Sequence, residues 1–226
     1  MTVNDDGTYP NTNSQAFETE VTIAGAPAPS PAPTAKKAVC FASSETVQLQ
    51  DGSVKALSEV QLGDMVLTAR LDGSTKGFSP VIAVPHAGEA ATAATFLQLS
   101  TETSDVKMTP DHLVLAGSCA AAAPMALKQA RFVSVGDCLQ TTEGKAPVSS
   151  VQTVQGKGLS SAVTQAGGLI IVNGIAASPF AVSHRIGEAW YVIHRALYAV
   201  LPAALGFKLF QQTSEKFGDF AIQFSA

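Results

Sequence analysis

Cys40 stands where a Pro/Ala-rich run gives way to a sequence able to fold. The run Gly25-Ala26-Pro27-Ala28-Pro29-Ser30-Pro31-Ala32-Pro33-Thr34-Ala35 has the composition of an extended, solvated linker. A thiol at such a junction can attack the carbonyl of the peptide before it, here that of Val39. The amide then becomes a thioester and the amine of Cys40 is the leaving group. That step is uphill and slow unless the peptide is strained and the leaving nitrogen is protonated. The thiol therefore needs a histidine close by. The alternative is a small buried apolar residue at the start of a strand.

A histidine of the right kind occurs in Thr109-Pro110-Asp111-His112, between the apolar segments Val106-Lys107-Met108 and Leu113-Val114-Leu115. Lodged between two strand segments, His112 is either a structural histidine or a proton donor to the nitrogen of the broken peptide. In the second reading Thr109 hydrogen-bonds the same peptide. The other cysteines are Cys119 and Cys138. With an odd count of three, at least one thiol is unpaired within the chain, and the sequence leaves open whether Cys119 and Cys138 pair. No CxxC pair exists and the four histidines are scattered, so no zinc site is expected.

These residues need a scaffold. The chain has 226 residues, 46% hydrophobic and 14% charged, with a net charge of −4. That composition supports a sizeable core and excludes wholesale disorder. With no long basic run, nucleic acid is not an expected partner. The N-terminus Met1-Thr2-Val3-Asn4-Asp5-Asp6 is polar and acidic, unlike a signal peptide. Phe17–Ile23 alternates like a single strand, which cannot bury a face alone and reads as the end of a domain cut off upstream.

From Cys40 to about Val182 short strands and turn signals follow one another. Strands are expected at Thr46–Leu49, Val54, Val81–Val84, Thr95–Ser100, Val106–Met108, Leu113–Ala116, Ala146–Val154 and Leu169–Val172, with Asp51-Gly52 and Asp72-Gly73 as turns. The spacing predicts an all-β domain. Val60-Gln61-Leu62-Gly63-Asp64-Met65-Val66-Leu67-Thr68 is echoed by Val133-Ser134-Val135-Gly136-Asp137-Cys138-Leu139-Gln140-Thr141, which suggests one β unit used twice about a pseudo-twofold. The strand after the first copy leads to Thr109–His112 and that after the second to Val172-Asn173-Gly174. From Ser183 the texture becomes helical: Ile186, Ala189, Trp190, Ile193, Leu197, Val200 and Leu201 recur at helical spacing, Pro202 interrupts, and Ala203–Phe210 can continue as a second helix. The stretch is too broken for a membrane span. It fits an amphipathic helix lying on the domain or on a membrane surface.

The stretch from Cys40 to about Val182 resembles the Hint family, in its Hedgehog autoprocessing branch. Cys40-Phe41 is similar to the family's opening Cys-Phe. Thr46-Val47-Gln48-Leu49, Asp51-Gly52 and Leu57–Leu67 resemble its first motif, Thr109-Pro110-Asp111-His112-Leu113-Val114 its Thr-x-x-His motif, and Leu169–Ser178 its closing strand. The resemblance implies a Hint fold over residues 40–182, preceded by a truncated region and linker over residues 1–39 and followed by a tail over residues 183–226. It implies a single-turnover, cysteine-dependent self-cleaving enzyme with no metal or organic cofactor. Cys40 forms a thioester with Val39, assisted by Thr109 and His112, and a second nucleophile then frees the N-terminal part. In Hedgehog proteins that nucleophile is cholesterol, positioned by a segment where residues 183–226 lie, so a sterol or other lipid acceptor and a membrane surface are the expected partners of the tail, and the tail is expected to take no part in the first step. The resemblance also implies passage through the secretory pathway, with the signal missing from this sequence.

Two departures bear on the second step. His86, in Val84-Pro85-His86-Ala87, falls where animal Hedgehog proteins carry an acceptor-activating Asp. Pro179 follows Ser178 where those proteins have a cysteine, so the disulfide from the nucleophile to that position is impossible here. Inteins end in His-Asn before Cys, Ser or Thr, whereas Asn173 lies between Val172 and Gly174, which argues against splicing. The competing readings are hydrolysis without lipid transfer and an inactive Hint fold kept as a binding or structural module.

Overall fold

The computed structural model describes residues 40–85, 92–181 and 183–201. The expected strand at 17–23, the linker, Val39, His86, Val182 and the second helix at 203–210 lie outside these residues.

The described chain is a run of short strands. The first half holds β1 (Phe41–Ala42), β2 (Thr46–Gln48), β3 (Val54–Ala56), β4 (Met65–Ala69), β5 (Thr75–Ala83), β6 (Ala93–Ser100) and β7 (Asp105–Met108). The second holds β8 (His112–Gly117), β9 (Met125–Gln129), β10 (Cys138–Thr141), β11 (Gly144–Pro147), β12 (Ser150–Lys157), β13 (Leu159–Ser160), β14 (Val163–Thr164), β15 (Leu169–Val172) and β16 (Ile175–Ala181). A five-stranded sheet runs β12-β6-β7-β1-β13. A nine-stranded sheet runs β11-β10-β8-β16-β15-β4-β5-β14, with β9 also on β8, and β2-β3 is a separate hairpin. This is the all-β architecture the strand spacing predicts.

The duplication is physical. Each copy places a turn of 3-10 helix, Leu57–Glu59 or Ala130–Phe132, before a Gly-Asp turn. In each, a glycine with positive φ, Gly63 or Gly136, takes the left-handed conformation that the turn demands. Asp64 accepts from Gln61 N–H and from Lys55 Nζ, both at 2.8 Å; Asp137 accepts from Ser134 N–H at 2.9 Å and from Lys128 Nζ at 2.7 Å. Val81 and Val148 close the two turns identically, each donating its N–H to the aspartate carbonyl and accepting from the glycine. The same pairing explains one departure from expectation. The predicted strand Ala146–Val154 is two strands, β11 and β12, because Val148 bonds the Gly-Asp turn instead of continuing a ladder. At Ser149 the chain passes to the other sheet through Ser100 O.

β8 is buried along almost its whole length, as expected of a strand covered on both faces. The largest core cluster gathers Phe41, Val66, Leu99, Met108, Val114 and Ile170 from both sheets. β15 and β16 meet through Asn173-Gly174, with φ of 48° and 79°, a two-residue hairpin suited to the twist of its strands.

The tail forms two short helices, α1 (His184–Trp190) and α2 (Val192–Val200), the first capped by the Ser183 hydroxyl accepting from Ile186 N–H. The helical spacing is real, and most of the apolar series faces outward rather than onto the domain. His184, Gly187, Tyr191 and His194 turn inward. Ile186, Trp190, Ile193 and Val200 of the apolar series are exposed, Ile193 at 71% and Val200 at 84%. Arg195 ties the tail to the sheets, donating to Thr164 O at 3.2 Å, to Glu188 O at 3.0 Å and to Glu188 Oε1 at 2.9 Å. Glu188 Oε1 in turn accepts from Gly168 N–H at 3.3 Å.

Candidate active site

Cys40 precedes β1 and is fully buried, with its thiol outside any disulfide. Its backbone is held on both sides by one residue. Cys40 N–H donates to Thr109 Oγ1 at 3.1 Å, and Thr109 N–H donates to Cys40 O at 2.9 Å. The nitrogen so bound is that of the Val39–Cys40 peptide. Thr109 is placed by β7, whose Met108 pairs with Phe41 of β1.

The Thr109-Pro110-Asp111-His112 segment folds as its residue types dictate. His112 N–H closes a turn on Thr109 O at 3.0 Å, with proline at the second position, where its fixed φ suits the bend. Pro110 O accepts from Arg131 N–H, and Arg131 pairs with Asp111. The turn carries the chain from one sheet to the other and sets His112 at the start of β8. Its ring lies against that of Phe41, the residue after Cys40, with centroids 4.1 Å apart. Cys40, Thr109 and His112 are thus brought together at one sheet junction. Val39 and His86, also expected at the site, lie outside the described residues.

His112 is completely buried, and burial pushes its pKa from 6.5 down to about 4 against the opposing bond to Ser178 O. The ring is therefore neutral at pH 7. Its Nε2 lies 2.8 Å from that carbonyl, which can only accept, so the neutral ring carries its proton on Nε2. Nδ1 has no hydrogen-bond partner among the described residues. A buried imidazole with one nitrogen fixed and the other bearing a free lone pair is equipped to take a proton and return it.

Sequence reasoning missed the support around this centre. Ser178 interrupts the pairing of β16 with β8: Ala177 pairs with Val114 and Ala181 with His112. Ser178, Pro179 and Phe180 bulge out between them, which frees the Ser178 carbonyl to receive the histidine ring. A buried carboxylate, Glu45, anchors the opening strands by accepting from Lys107 N–H at 3.0 Å and from Asn173 Nδ2 at 2.7 Å. Burial raises its pKa above the ordinary value, opposed by the bonds from Lys107. Asn173 also takes Thr46 N–H on Oδ1 at 2.8 Å and donates Nδ2 to Asp105 O. Its amide is committed to the hairpin and strand clamp. Cys119 and Cys138 form a disulfide, answering the question the sequence left open. Among the described residues no group of His, Cys, Asp and Glu could hold a metal ion.

The Hint module family model matches residues 26–216. The chain belongs to the Hint family. It is 30% identical over 144 residues to Warthog protein 6 of Caenorhabditis elegans, which covers 62% of this chain and 24% of that protein. It is 31% identical over 156 residues to Tiggy-winkle hedgehog protein of Danio rerio, covering 66% and 37%. These relatives agree with the Hedgehog branch of the family, and this Hint chain spans between 24% and 37% of their length. A DnaB intein from Synechocystis sp. PCC 6803 matches in structure with a TM-score of 0.50 at 11% identity, over 62% of this chain and 96% of the intein. At that identity the likeness shows the shared fold alone.

Proposed function

We propose that this Hint domain breaks its own backbone between Val39 and Cys40, once per molecule. The Cys40 thiol passes its proton to His112 Nδ1 and Sγ adds to the Val39 carbonyl carbon. The proton then moves from Nδ1 to the Cys40 nitrogen, the C–N bond breaks, and a thioester with a free α-amine remains. Thr109 Oγ1 orients the nitrogen that leaves. A second nucleophile, a sterol or other lipid alcohol or else water, attacks the thioester carbon. It gives its proton to a base, the role proposed for His86; Cys40 departs as the thiolate and takes that proton back to become the thiol. The products are an ester or acid at Val39 and a free domain.

The observation that carries the reading is the Cys40–Thr109–His112 junction: a buried cysteine outside any disulfide whose N–H sits on Thr109 beside a neutral histidine with no hydrogen bond to Nδ1 among the described residues. Family membership and the Hedgehog relatives support it. The outward apolar face of Ile186, Trp190, Ile193 and Val200 supports lipid-acceptor or membrane-surface binding by the tail. No described helix is long and apolar enough to cross a membrane. The Cys119–Cys138 disulfide supports passage through an oxidising, secretory compartment.

The test is release of the N-terminal segment from purified chain. Dithiothreitol or hydroxylamine attacks a thioester, so either should free a piece of about four kilodaltons, judged from residues 1–39 at average residue mass. Cys40→Ala should release nothing while remaining folded. A parent chain that stays intact for days in both reagents would refute the proposal.

A further inference from the structure

We propose that His184, the first residue of α1, is a positioning residue for His112, acting through the Ser178–Phe180 bulge. This rests on the self-cleavage reading and assigns the tail's first helix a part in the first chemical step, which the division between Hint domain and tail did not foresee.

His112 owes its orientation to one carbonyl, that of Ser178. That carbonyl belongs to a bulge, where the ladder that would fix a regular strand is missing. Something else must hold it. The side chain of Ser178 is fully buried and accepts from Phe180 N–H at 3.0 Å, closing the bulge on itself. Its own proton needs an acceptor, and His184 Nδ1 lies 2.9 Å away. Two further contacts seat the bulge: Ser161 Oγ donates to Pro179 O at 2.8 Å, and the Phe180 ring stacks on Tyr191 with centroids 5.6 Å apart. α1 is pressed against the same ring, since a Cβ on Gly187 would run into the Phe180 ring. The bulge is thus held on one side by Ser161 and on the other by α1 and Tyr191, and His184 supplies the polar contact from the helix.

In the proposed latch the Ser178 hydroxyl donates to His184 Nδ1, and the neutral ring then carries its hydrogen on Nε2. Burial lowers its pKa, with Arg195 acting in the same direction and Glu188 against. A leucine at 184 leaves the Ser178 hydroxyl without an acceptor, and the hydroxyl then competes for a neighbouring carbonyl, dragging the bulge and the Ser178 carbonyl with it. The His112 ring loses its fixed tautomer, and Nδ1 is no longer reliably the free nitrogen.

The experiment uses the full chain and follows thiol- and hydroxylamine-induced release. His184→Leu should slow release by about tenfold or more, the scale of one buried hydrogen bond. His184→Asn, whose Oδ1 falls near the place of Nδ1, should stay within about threefold of the parent. Ser178→Ala combined with His184→Leu should be no slower than the slower single variant, because both remove one contact. In a Cys40→Ala background, nitrogen NMR of the His112 ring should report the Nε2–H tautomer, and His184→Leu should convert it to a mixture. Release at the parent rate by His184→Leu overturns the proposal, as does slowed release with an unchanged His112 tautomer. Should the leucine variant fail to fold, His184→Asn is compared with His184→Gln, and equal rates for the two overturn it. If the parent releases nothing, self-cleavage fails, while the tautomer measurement still tests the latch.

Discussion

Lowering the pH probes the buried neutral state of His112 directly. Folded, the ring titrates near 4; unfolded, near 6.5. As pH falls, the unfolded chain takes up this proton first. The neutral ring therefore supports full stability above pH 6.5, and that stability is lost progressively as pH falls toward 4. The whole difference corresponds to about 3 kcal/mol, of which about 2 kcal/mol is lost between pH 7 and 4.5. His184 and His194 shift in the same direction, both through burial first, so the parent curve alone is ambiguous. The measurement is guanidinium unfolding of Cys40→Ala, which keeps the chain whole, against Cys40→Ala/His112→Leu. The gap between the two stabilities should narrow by about 2 kcal/mol on acidification over that range. Parallel curves would mean that the ring is not held neutral by burial, and the proton-shuttle role would lose its footing. A thiol-induced release rate that titrates at pH 6.5 would say the same from the kinetic side.

Three other outcomes are expected. Thr109→Val keeps the shape but removes the acceptor for Cys40 N–H; release in hydroxylamine should slow about tenfold or more, and an unchanged rate would make Thr109 a packing residue. His86→Ala should leave thiol-induced release intact and slow cleavage by an alcohol or water about a hundredfold, the scale for losing a general base; equal loss of both would move His86 into the first step or the fold. Replacing Cys119 and Cys138 together by alanine removes the cross-link between residues 19 apart and should cost about 3 kcal/mol in denaturant unfolding. Because dithiothreitol also reduces that bond, release by the alanine pair is best followed in hydroxylamine, where a rate near the parent's separates the staple from the chemistry.

The sequence exposed the parts of the site that chemistry constrains and hid those that geometry constrains. Cys40, Thr109 and His112 carry functional types at distinctive positions, and the Gly-Asp echo exposed the duplication because a positive φ narrows the choice of residue. The break between β11 and β12 was invisible, since Val148 has the composition of a strand residue and differs only in what it bonds. Ser178 belongs to the closing-strand motif, but nothing in Ala177-Ser178-Pro179 announces that its carbonyl would serve a histidine from β8. The tail shows what periodicity leaves open. Ile186, Trp190 and Ile193 mark a helical face, yet an apolar stripe shows only that a face exists and cannot say whether the domain covers it. The inward series His184, Gly187, Tyr191 and His194 has the same spacing, but apart from Tyr191 its residues are polar or small and add little to a hydropathy pattern.

The pseudo-twofold offers a reason why the nucleophile sits where it does. Thr109 and Asn173 follow the corresponding strands of the two copies, and they perform the same act. Each donates its backbone N–H to a carbonyl of the opening segment and receives that residue's N–H on its side-chain oxygen, Thr109 with Cys40 and Asn173 with Thr46. One clamp therefore holds the first residue of the described domain and the other holds a point six residues later, with buried Glu45 bracing the second. Between the clamps the chain cannot slide. Strain or rotation imposed on the peptide before Cys40 cannot be relieved by movement of the strands after it. A fold built on one unit twice thus holds Cys40 from the domain side at two points. If the proposed attack needs a rigidly held thiol, loosening the second clamp, as in Asn173→Ala, should slow hydroxylamine-induced release although Asn173 touches no reacting atom in the proposed step.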